Sequence, residues 1–417
     1  MSQEVFKLAI EGGRAVRVPP LPKARLGAAL IGLAERQEVM KVLERGQLFR
    51  FGNGILGSIT SALEAEFGHR VGFDFALAVS SGTAAVSCAL AVLGVGPGTR
   101  VVLPVYTWVG VVNAVLLLGG VPIFANIDDT LTLDPDDLSK SYLDRTTAIV
   151  AVHMDGAAAN MAALQRFASS HGVALIEDCA QALGASYHGK SVGTFGHVAA
   201  FSFQFNKMVT TGEGGMLATN DAQTFTRAVE YHDHGVDRLT STRNPPPGSV
   251  GTNFRMSEVT AAIGVAQLGR VQFMVDKLRY QKKRIVEMLC DFPDLRIRRL
   301  PDPSGDSATS VIMQLPTERI ADKFAQAMTA EGIQTNIIWR NHRHIYHHFY
   351  PSIAARAIVN AQIGGLGMEG LEYDAGRYLT SGKILKSAVR IDLSPIYSMQ
   401  DIDDIGSAIR KVARSLL

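Results

Sequence analysis

The sequence has little cysteine and almost no net charge, and each shortage excludes a class of protein. Its three cysteines, Cys88, Cys179 and Cys290, are odd in number, far apart and without CxxC spacing, so neither a disulfide framework nor a structural zinc site is expected. A reducing cytosol fits this cysteine usage best. The 41 basic and 39 acidic side chains leave a formal charge of +2, which is too balanced for binding nucleic acid or an anionic membrane through the overall field.

Long hydrophobic runs are also missing. The first seven residues include an acidic side chain and begin no apolar run of the length of a secretory signal. The most apolar stretch, Val109 to Val121, is interrupted by Asn113 and by glycines, which excludes it as a membrane span. With 417 residues, of which 47 % are hydrophobic and 19 % charged, the chain can bury a sizeable core and is expected to form two domains.

Differences in composition divide the chain into three parts. Residues 1–30 combine three prolines with charged side chains, and we expect an irregular arm without catalytic residues. We expect a large α/β domain over residues 31–280 and a smaller α+β domain over residues 281–417. Helical apolar spacing extends from Ala28 to Leu48 and again from Ser257 to Cys290, where one long helix would link the two domains.

Short β-branched runs alternate with helical patterns between residues 55 and 265. The runs are Phe75–Val79, Arg100–Pro104, Pro122–Ala125, Thr147–Val152, Val173–Glu177 and Val198–Phe203. This alternation predicts a mainly parallel sheet that is covered by helices on both faces. Ligands of such sheets bind at the carboxyl ends of the strands, so the residues after each run are the candidates for chemistry.

Lys207 lies shortly after the sixth run. Because the loss of hydration disfavours the ammonium form, a lysine at a buried strand end needs a partner or a covalent use. An amine with a lowered pKa can form a Schiff base with an aldehyde and afterwards carry protons. Taken alone, a lysine that reaches solvent along its apolar stem is the commoner case. The glycines of Thr210–Met216, which follow, indicate only a tight turn.

Asp178 directly follows the fifth run, within the segment Ile176–Gln181. An unpaired carboxylate at the end of an apolar strand is costly and is expected to meet a cation. The protonated nitrogen of a pyridine ring is such a cation, and the pairing keeps the ring electron-withdrawing. For this residue taken singly, an aspartate that caps a following helix is an equally frequent explanation.

Two further features lie at the same predicted edge of the sheet. Ser81, Gly82 and Thr83 stand between a strand and an apolar helical run, so their hydroxyl and backbone N–H groups suit an anion such as a cofactor phosphate. A capped strand-to-helix turn is also common in α/β proteins without a ligand there. Trp108, one of two tryptophans, offers a flat face for stacking on a pyridine ring, with core packing as the alternative.

Four motifs occur together in the sequence. They are Ser81-Gly-Thr-Ala84, Ile176-Glu-Asp-Cys-Ala-Gln181, Phe201-Ser-Phe-x-x-x-Lys207 with Thr211-Gly-Glu-Gly-Gly215, and Asn253-Phe-Arg-Met256. In this order and spacing the chain resembles the DegT/DnrJ/EryC1/StrS aminotransferase family, from about residue 35 to 280 and only generally beyond 290. The resemblance implies the type I fold of pyridoxal 5′-phosphate (PLP) enzymes, with a mainly parallel seven-stranded sheet between helices and a smaller C-terminal α+β domain.

The resemblance also implies the cofactor and the site. PLP, or its aminated form PMP, is the implied cofactor, no metal is expected, and a homodimer shares each active site. Lys207 would form the Schiff base with the cofactor and Asp178 would bind the pyridine nitrogen. The other implied contacts are Gln181 near the ring hydroxyl, Trp108 on the ring face, Ser81, Gly82, Thr83 and Ser202 at the phosphate, and Asn253 at the phosphate of the neighbouring subunit.

The reaction implied by the resemblance is amino transfer. Glutamate or glutamine would donate the amino group to a keto group of a sugar nucleotide or ketocyclitol, in the biosynthesis of amino sugars or antibiotics. Some members have histidine at the position of Lys207 and dehydrate deoxysugars, so the lysine favours transamination. Asp155 stands where relatives often have an aromatic or aliphatic residue, which leaves the substrate contacts open. Another carbanion reaction with PLP, and a PLP-binding regulator without turnover, stay as alternatives.

Histidines and arginines are frequent in the C-terminal part. His342, His344, His347 and His348 suggest metal ligands, but they lack acidic or cysteine partners, and ordinary hydrogen-bonding surface residues are the more frequent case. Arg340, Arg343 and Arg390 could bind a substrate carboxylate or phosphate. For any one of them, a place on a solvated surface is the more frequent role.

Overall fold

The computed structural model describes residues 7–52, 57–138, 145–239, 247–367 and 376–417. The helices are α1 Leu33–Arg45, α2 Ile59–Val71, α3 Gly82–Val92, α4 Val109–Leu117, α5 Pro135–Leu138, α6 Met161–His171, α7 Ala222–His232, α8 Glu258–Leu268, α9 Val271–Glu287, α10 Glu318–Ala330, α11 Tyr346–Ile363, α12 Leu379–Ser387 and α13 Met399–Leu416. The strands are β1 Phe75–Val79, β2 Arg100–Pro104, β3 Val121–Ala125, β4 Thr146–Val152, β5 Ala174–Asp178, β6 Ser186–Tyr187, β7 Lys190–Ser191, β8 Val198–Ser202, β9 Gly215–Thr219, β10 Arg296–Ile297, β11 Ser310–Gln314, β12 Asn336–Ile337 and β13 Ala388–Asp392. None of the described helices is both long and apolar enough to cross a membrane.

Seven strands form the large sheet, in the order β1-β9-β8-β5-β4-β2-β3. The strands from β8 to β3 pair in parallel, whereas β9 is antiparallel to both β1 and β8. All strands except β9 therefore end at the same edge, where the candidate residues follow them. The strands are almost wholly buried, as expected for a sheet between two helical layers. The predicted α/β fold with a mainly parallel seven-stranded sheet is confirmed.

Polar caps and glycines set the ends of the surrounding helices. A side-chain oxygen at the N-cap accepts a backbone N–H of the first turn at Ser58, Ser81, Asn160, Asp221, Ser257, Thr317 and Ser398. Glycines in the left-handed conformation end α1, α2 and α6, at Gly46, Gly72 and Gly172. These caps satisfy backbone groups that the helices leave without partners, so the helix boundaries follow from local sequence.

A second, antiparallel sheet lies in the C-terminal part, in the order β10-β11-β13-β12. Helix α10 packs against α13, which in turn packs against α9. The smaller C-terminal α+β unit is therefore present. The division at residues 30 and 280 stays a prediction, and residue 280 lies within α9.

The N-terminal arm lies against this C-terminal unit. Arg17 and Leu21 donate backbone hydrogen bonds of 3.1 and 3.2 Å to the carbonyls of Glu331 and Gly332. The guanidinium of Arg17 also forms ion pairs of 2.6 and 2.8 Å with two carboxylates of α13. The arm is thus fixed by backbone pairing and by charge, although proline breaks its regular structure.

Helix α11 of the C-terminal part packs against the large sheet and α4. Tyr346 packs on Phe124 of β3, with ring centroids 4.1 Å apart. Asn360 donates hydrogen bonds of 2.9 and 3.0 Å to the carbonyls of Leu116 and Gly120 at the end of α4. Helix α11 therefore covers the β3 side of the sheet and brings the residues that precede it to the candidate site.

Three local expectations differ from the structure. The helical pattern from Ser257 to Cys290 is broken into α8 and α9 at Gly269, because glycine is a weak helix former and Arg270 turns aside to bind the carbonyl of Leu30 at 2.8 Å. The pattern from Ala28 to Leu48 contains a 3-10 turn and then α1. The glycine segment after Lys207 leads into β9, the strand of the seven-stranded sheet that none of the six β-branched runs located.

Candidate functional site

Lys207 lies in the loop between β8 and β9. Its N–H donates to the carbonyl of Gln204 at 2.9 Å, and its own carbonyl accepts the N–H of Gly27 from the arm at 3.1 Å. A Cβ at Gly27 would lie 2.6 Å from the carbonyl oxygen of Met208, so only glycine allows this close approach. Burial lowers the pKa of the half-buried Lys207 amine, and the nearby carboxylates of Asp178 and Asp155 only partly oppose this effect.

Asp178 is the last residue of β5 and is 4 % exposed. Its backbone pairs with Ala200 of β8, the strand that leads to Lys207. Burial raises the pKa of Asp178; the N–H of Ala180, which donates to Oδ1 at 2.9 Å, and the charge of Lys207 oppose this effect. The predicted lysine and the predicted carboxylate are thus close enough for the charge of each to affect the pKa of the other.

A buried histidine and a buried glutamate lie next to Asp178, whose carbonyl accepts the N–H of His153 at 3.0 Å. His153 Nε2 lies 2.9 Å from Glu177, and His153 Nδ1 accepts the N–H of Ala159 at 3.0 Å, so Nε2 carries the proton that is donated. Glu177 also accepts three backbone N–H groups of the loop before β8. With Cys179, these residues form the trio of potential metal ligands found in the described ranges. Since both ring nitrogens already bond protein atoms, we interpret the trio as structural.

The four C-terminal histidines do not converge on a metal site within the described residues. His347 and His348 pack against Trp339 and against each other, and His342 packs on His348, with ring centroids 4.4 to 5.4 Å apart. His344 lies apart from them, against Trp108. These contacts are aromatic packing, and they separate His344 as the member that belongs to the candidate site.

The start of α3 packs closely against β8 and β9, in an arrangement here called the cradle. The hydroxyl of Ser81 accepts the N–H of Ala84 at 3.0 Å, which leaves the N–H groups of Gly82 and Thr83 without an acceptor inside the helix. A Cβ at Gly82 would lie 2.7 Å from the Cβ of Ser202, and one at Gly215 would lie 2.4 Å from the carbonyl oxygen of Ser81. The two glycines let a helix N-terminus and the hydroxyl of Ser202 meet, which suits a phosphate.

Trp108 caps α4 and contacts a segment from the C-terminal part. Thr107 and Val109 donate backbone hydrogen bonds of 2.9 Å to the carbonyls of His344 and Arg343. The Trp108 ring lies 5.0 Å from the His344 ring, and the Arg343 guanidinium lies 5.3 Å from the Trp108 ring centroid. Trp108 is half-buried, so it is neither a core residue nor a free surface residue, and it remains suited to stacking.

Gln181 is fixed at both ends of its amide. Its Oε1 accepts the N–H of Asp155 at 3.3 Å, and its Nε2 lies 3.2 Å from His344 Nε2. Burial lowers the pKa of His344 to about 4, and the charges of Lys207 and Arg390 add to this effect. His344 is therefore neutral near pH 7, and its Nε2 accepts the amide N–H of Gln181.

Asn253 stands apart from these residues. Its side chain is exposed, and its Oδ1 accepts the N–H of Arg255 at 3.3 Å. The segment runs beside the end of β1, where Ser80 donates to the carbonyl of Phe254 at 2.8 Å. Among the residues that the structure describes, no recorded side-chain contact joins Asn253 to the candidate site of its own chain, and its expected role at a neighbour's phosphate stays a prediction.

The family model of the DegT/DnrJ/EryC1/StrS aminotransferase family matches residues 31–362, well over half of the chain. The chain belongs to this family. The resemblance seen in the motifs is thereby confirmed. Beyond residue 290, where the motifs gave only a general resemblance, the match continues through α11.

Individual members of the family share moderate identity with the chain. GDP-perosamine synthase of Vibrio cholerae is 37 % identical over 56 % of the chain and 62 % of its own length. L-glutamine:2-deoxy-scyllo-inosose aminotransferase of Streptomyces kanamyceticus is 38 % identical over 60 % of the chain and 62 % of its own length. The chain thus matches less than two thirds of these curated relatives. The crystal structure of the aminotransferase from Psychrobacter cryohalolentis has a TM-score of 0.82 at 25 % identity, over 95 % of the chain and 100 % of the other.

The structure gathers most of the positions that the family motifs suggested. Ser81, Gly82, Thr83 and Ser202 surround one cradle, while Trp108, Asp178, Gln181 and Lys207 lie around the strand ends beside it. Sequence reasoning missed Tyr106, which follows β2 and whose hydroxyl lies 2.9 Å from Asp155. Its position two residues after β2 was a signal that sequence reasoning could have used. Arg298 donates to the carbonyls of Thr130 and Met154 at 2.6 and 2.8 Å. No pattern in the sequence pointed to Arg298.

Proposed function

We propose that this chain is a cytosolic PLP-dependent aminotransferase that moves an amino group from glutamate or glutamine to a keto group of a sugar nucleotide or ketocyclitol. The observation that carries the proposal is that Lys207, whose amine pKa is lowered by burial, lies within electrostatic range of the buried carboxylate of Asp178 at the edge of the sheet where α3 begins. An aminotransferase family supplies the reaction class.

The described residues fit PLP. The N-terminus of α3 at Gly82 and Thr83, with the hydroxyl of Ser202 brought close by the packing at Gly82, suits the phosphate. Asp178 has no ion-pair partner within 4.0 Å among the described residues, and a protonated pyridine nitrogen would provide one. Trp108 would cover a ring face and Gln181 would donate its second amide N–H to the ring hydroxyl. When bound, PLP supplies an aldehyde that reacts with amines and a ring that withdraws electrons from the substrate carbon.

The side chains of the chain then have separate tasks. Lys207 would hold the cofactor through its amine and would move a proton at the substrate carbon. Its lowered pKa increases the fraction of free amine at neutral pH. Asp178 would keep the ring nitrogen protonated from a position fixed by β5 and by the N–H of Ala180. The neutral His344 orients Gln181 without adding a charge.

The substrate class follows the named relatives. One is called a GDP-perosamine synthase and another an L-glutamine:2-deoxy-scyllo-inosose aminotransferase, which supports an amino-sugar or aminocyclitol product. The balanced charge of +2 supports small molecules as substrates over nucleic acid. We further propose a homodimer in which the exposed Asn253 reaches the phosphate of the neighbouring subunit.

Absorption spectra with amino donors test the proposal. The PLP-loaded protein should lose its visible absorbance when glutamine or glutamate is added, and the matching 2-oxo acid should appear in equal amount. A panel of keto sugar nucleotides and ketocyclitols should then restore the absorbance only with the true acceptor. Lys207→Ala, assayed in parallel, should show neither step.

The alternatives predict other results. A dehydratase or another carbanion enzyme would act on its substrate without leaving PMP behind. A regulator without turnover would keep its absorbance with every donor tested. Either result with well-folded, PLP-loaded protein would contradict the aminotransferase.

A further inference from the structure

An ion pair between the two sheets lies beside Lys207 and has no role in the proposal above. Arg390 Nη1 lies 2.7 Å from Asp155 Oδ1, and Arg390 Nε lies 2.9 Å from Asp392 Oδ1. Arg390 belongs to β13 of the small sheet, whereas Asp155 follows β4 of the large sheet. The side chain of Arg390 is 24 % exposed and that of Asp155 is 4 % exposed, so the arginine is the member that a dissolved ligand can reach.

The large-sheet side fixes Asp155 in place. Its φ of 52° lies in the left-handed region, which residues other than glycine rarely adopt but which aspartate and asparagine tolerate. The hydroxyl of Tyr106 donates to Oδ2 at 2.9 Å, and the N–H of Asp155 donates to Gln181 at 3.3 Å. These bonds hold the carboxylate whether or not Arg390 binds its other oxygen.

Asp155 also keeps a second cation nearby. Burial alone raises the pKa of this carboxylate, but the charges of Arg390 and Arg298 and the hydroxyl of Tyr106 together hold the pKa below its usual value. If Arg390 turned to another anion, Arg298 and Tyr106 would still compensate Asp155. The exchange would therefore not leave a buried carboxylate without partners, which is the costly case.

The ion pair lies beside the candidate site, because the N–H of Asp155 donates to Gln181, an expected cofactor contact, at 3.3 Å. Burial has the largest effect and lowers the pKa of the Lys207 amine; the charge of Asp155 opposes this effect and the charge of Arg390 adds to it, so both charges lie near the amine. In an α-amino acid one carbon separates the reacting amine from the carboxylate. Arginine binds carboxylates through two parallel N–H···O bonds, and Arg390 has the required fork at this position.

We propose that Asp155 is an internal carboxylate that occupies Arg390 until the carboxylate of the amino-acid donor displaces it. This inference rests on the proposed aminotransferase function. The donor carboxylate would bind Arg390 during the first half of the reaction. When an acceptor without a carboxylate binds, Asp155 and Asp392 would neutralise the charge of Arg390. One site could then bind both the amino-acid donor and the acceptor.

Binding of glutarate, a five-carbon dicarboxylate without an amine, tests the exchange. Isothermal titration of the PLP-loaded protein should show glutarate binding that tightens about tenfold in Asp155→Asn, because the competing charge-assisted bond is lost. Asparagine keeps the size of the side chain and tolerates the left-handed backbone. Pentane-1,5-diol, which has the same length but no carboxylate, should bind both proteins equally.

Arg390→Gln provides the matched control. It should abolish glutarate binding, and the double variant Asp155→Asn/Arg390→Gln should show no gain. Equal glutarate affinity in the wild type and in Asp155→Asn would overturn the proposal. A gain that persists in the double variant would do the same, since it would not depend on the arginine.

Tyr106→Phe keeps the proposal testable if Asp155→Asn does not fold. Without the hydroxyl, the Asp155 carboxylate relies more on Arg390 for compensation of its charge, so glutarate should bind several-fold more weakly. Unchanged glutarate affinity in a Tyr106→Phe protein with a native circular dichroism spectrum would contradict the exchange. Spectral conversion by glutamate is recorded on the same wild-type preparation. Its absence counts against the aminotransferase function, whereas the glutarate comparison judges the exchange alone.

Discussion

The variant Gly82→Ala examines the close approach of α3 to Ser202. A Cβ at Gly82 would lie 2.7 Å from the Cβ of Ser202 and 3.2 Å from its Cα. Since alanine is favourable in a helix, the cost lies in overpacking, which is about 1–3 kcal/mol. An unfolding entropy of about 2.1 cal/mol/K per residue gives about 0.9 kcal/mol/K for the chain, so the melting temperature should fall by about 1–3 °C.

Scanning calorimetry of the cofactor-free protein measures this fall. Gly269→Ala is the matched control, because its backbone (φ −61°, ψ −16°) suits alanine and no atom lies within 4 Å of the added Cβ. Gly82→Ala/Ser202→Gly removes the opposing Cβ and should recover most of the loss. Equilibrium dialysis should show weaker PLP binding to Gly82→Ala. If Gly82→Ala melts at the same temperature as Gly269→Ala, the reasoning about the cradle is refuted.

The other predictions concern single side chains of the site. Borohydride reduction of the PLP-loaded protein should place the pyridoxyl group on Lys207, and peptide mapping that finds it on another lysine would disprove that role. Asp178→Asn should retain PLP but lose about 10²–10³-fold in turnover, because a charge-stabilising partner is neutralised; near-normal turnover would count against it. The pKa of His344 is lowered from 6.5 to about 4, so the unfolded state binds its proton first as the pH falls through this window, and stability should decline more steeply with falling pH in the wild type than in His344→Asn. Equal slopes of melting temperature against pH from 4 to 7 would contradict this. Mixed subunits of Asn253→Ala and Lys207→Ala should regain activity if the site is shared, and no recovery despite proven subunit exchange would exclude sharing through Asn253.

The large sheet was predictable because its signal is local. Runs such as Arg100–Pro104 are short, apolar and β-branched, and their bounds agree with the strands to within one or two residues. Strand β9, Gly215–Thr219, was not located from the sequence because it begins inside a glycine-rich turn. Its antiparallel pairing with β1 and β8 is not encoded in any local pattern. Helix α11 was not predicted, because Pro351 and the neighbouring histidines interrupt its apolar spacing.

The positions of the candidate site were predictable for the same reason, but their contacts were not. Lys207 and Asp178 each follow an apolar run, and a parallel sheet places such ends at one edge. By contrast, Gln181 and His344 are 163 residues apart, and Arg390 and Asp155 are 235 residues apart. Contacts of this kind depend on how the C-terminal unit docks, which composition and periodicity do not describe. Asp155 and Arg390 could each be noticed in the sequence, while their pairing could not.

The arm has a practical consequence for recombinant work. Its proline-rich sequence invites removal at about residue 30 to obtain a shorter protein. Such a truncation would delete Gly27, which donates to the carbonyl of Lys207, and Arg17, which binds Asp401 and Asp404. The shortened protein would expose two carboxylates of α13 and leave the lysine loop unsupported on one side. Purification tags therefore belong ahead of residue 7, and a protease site between residues 17 and 27 would cut where the backbone itself supports the loop of Lys207.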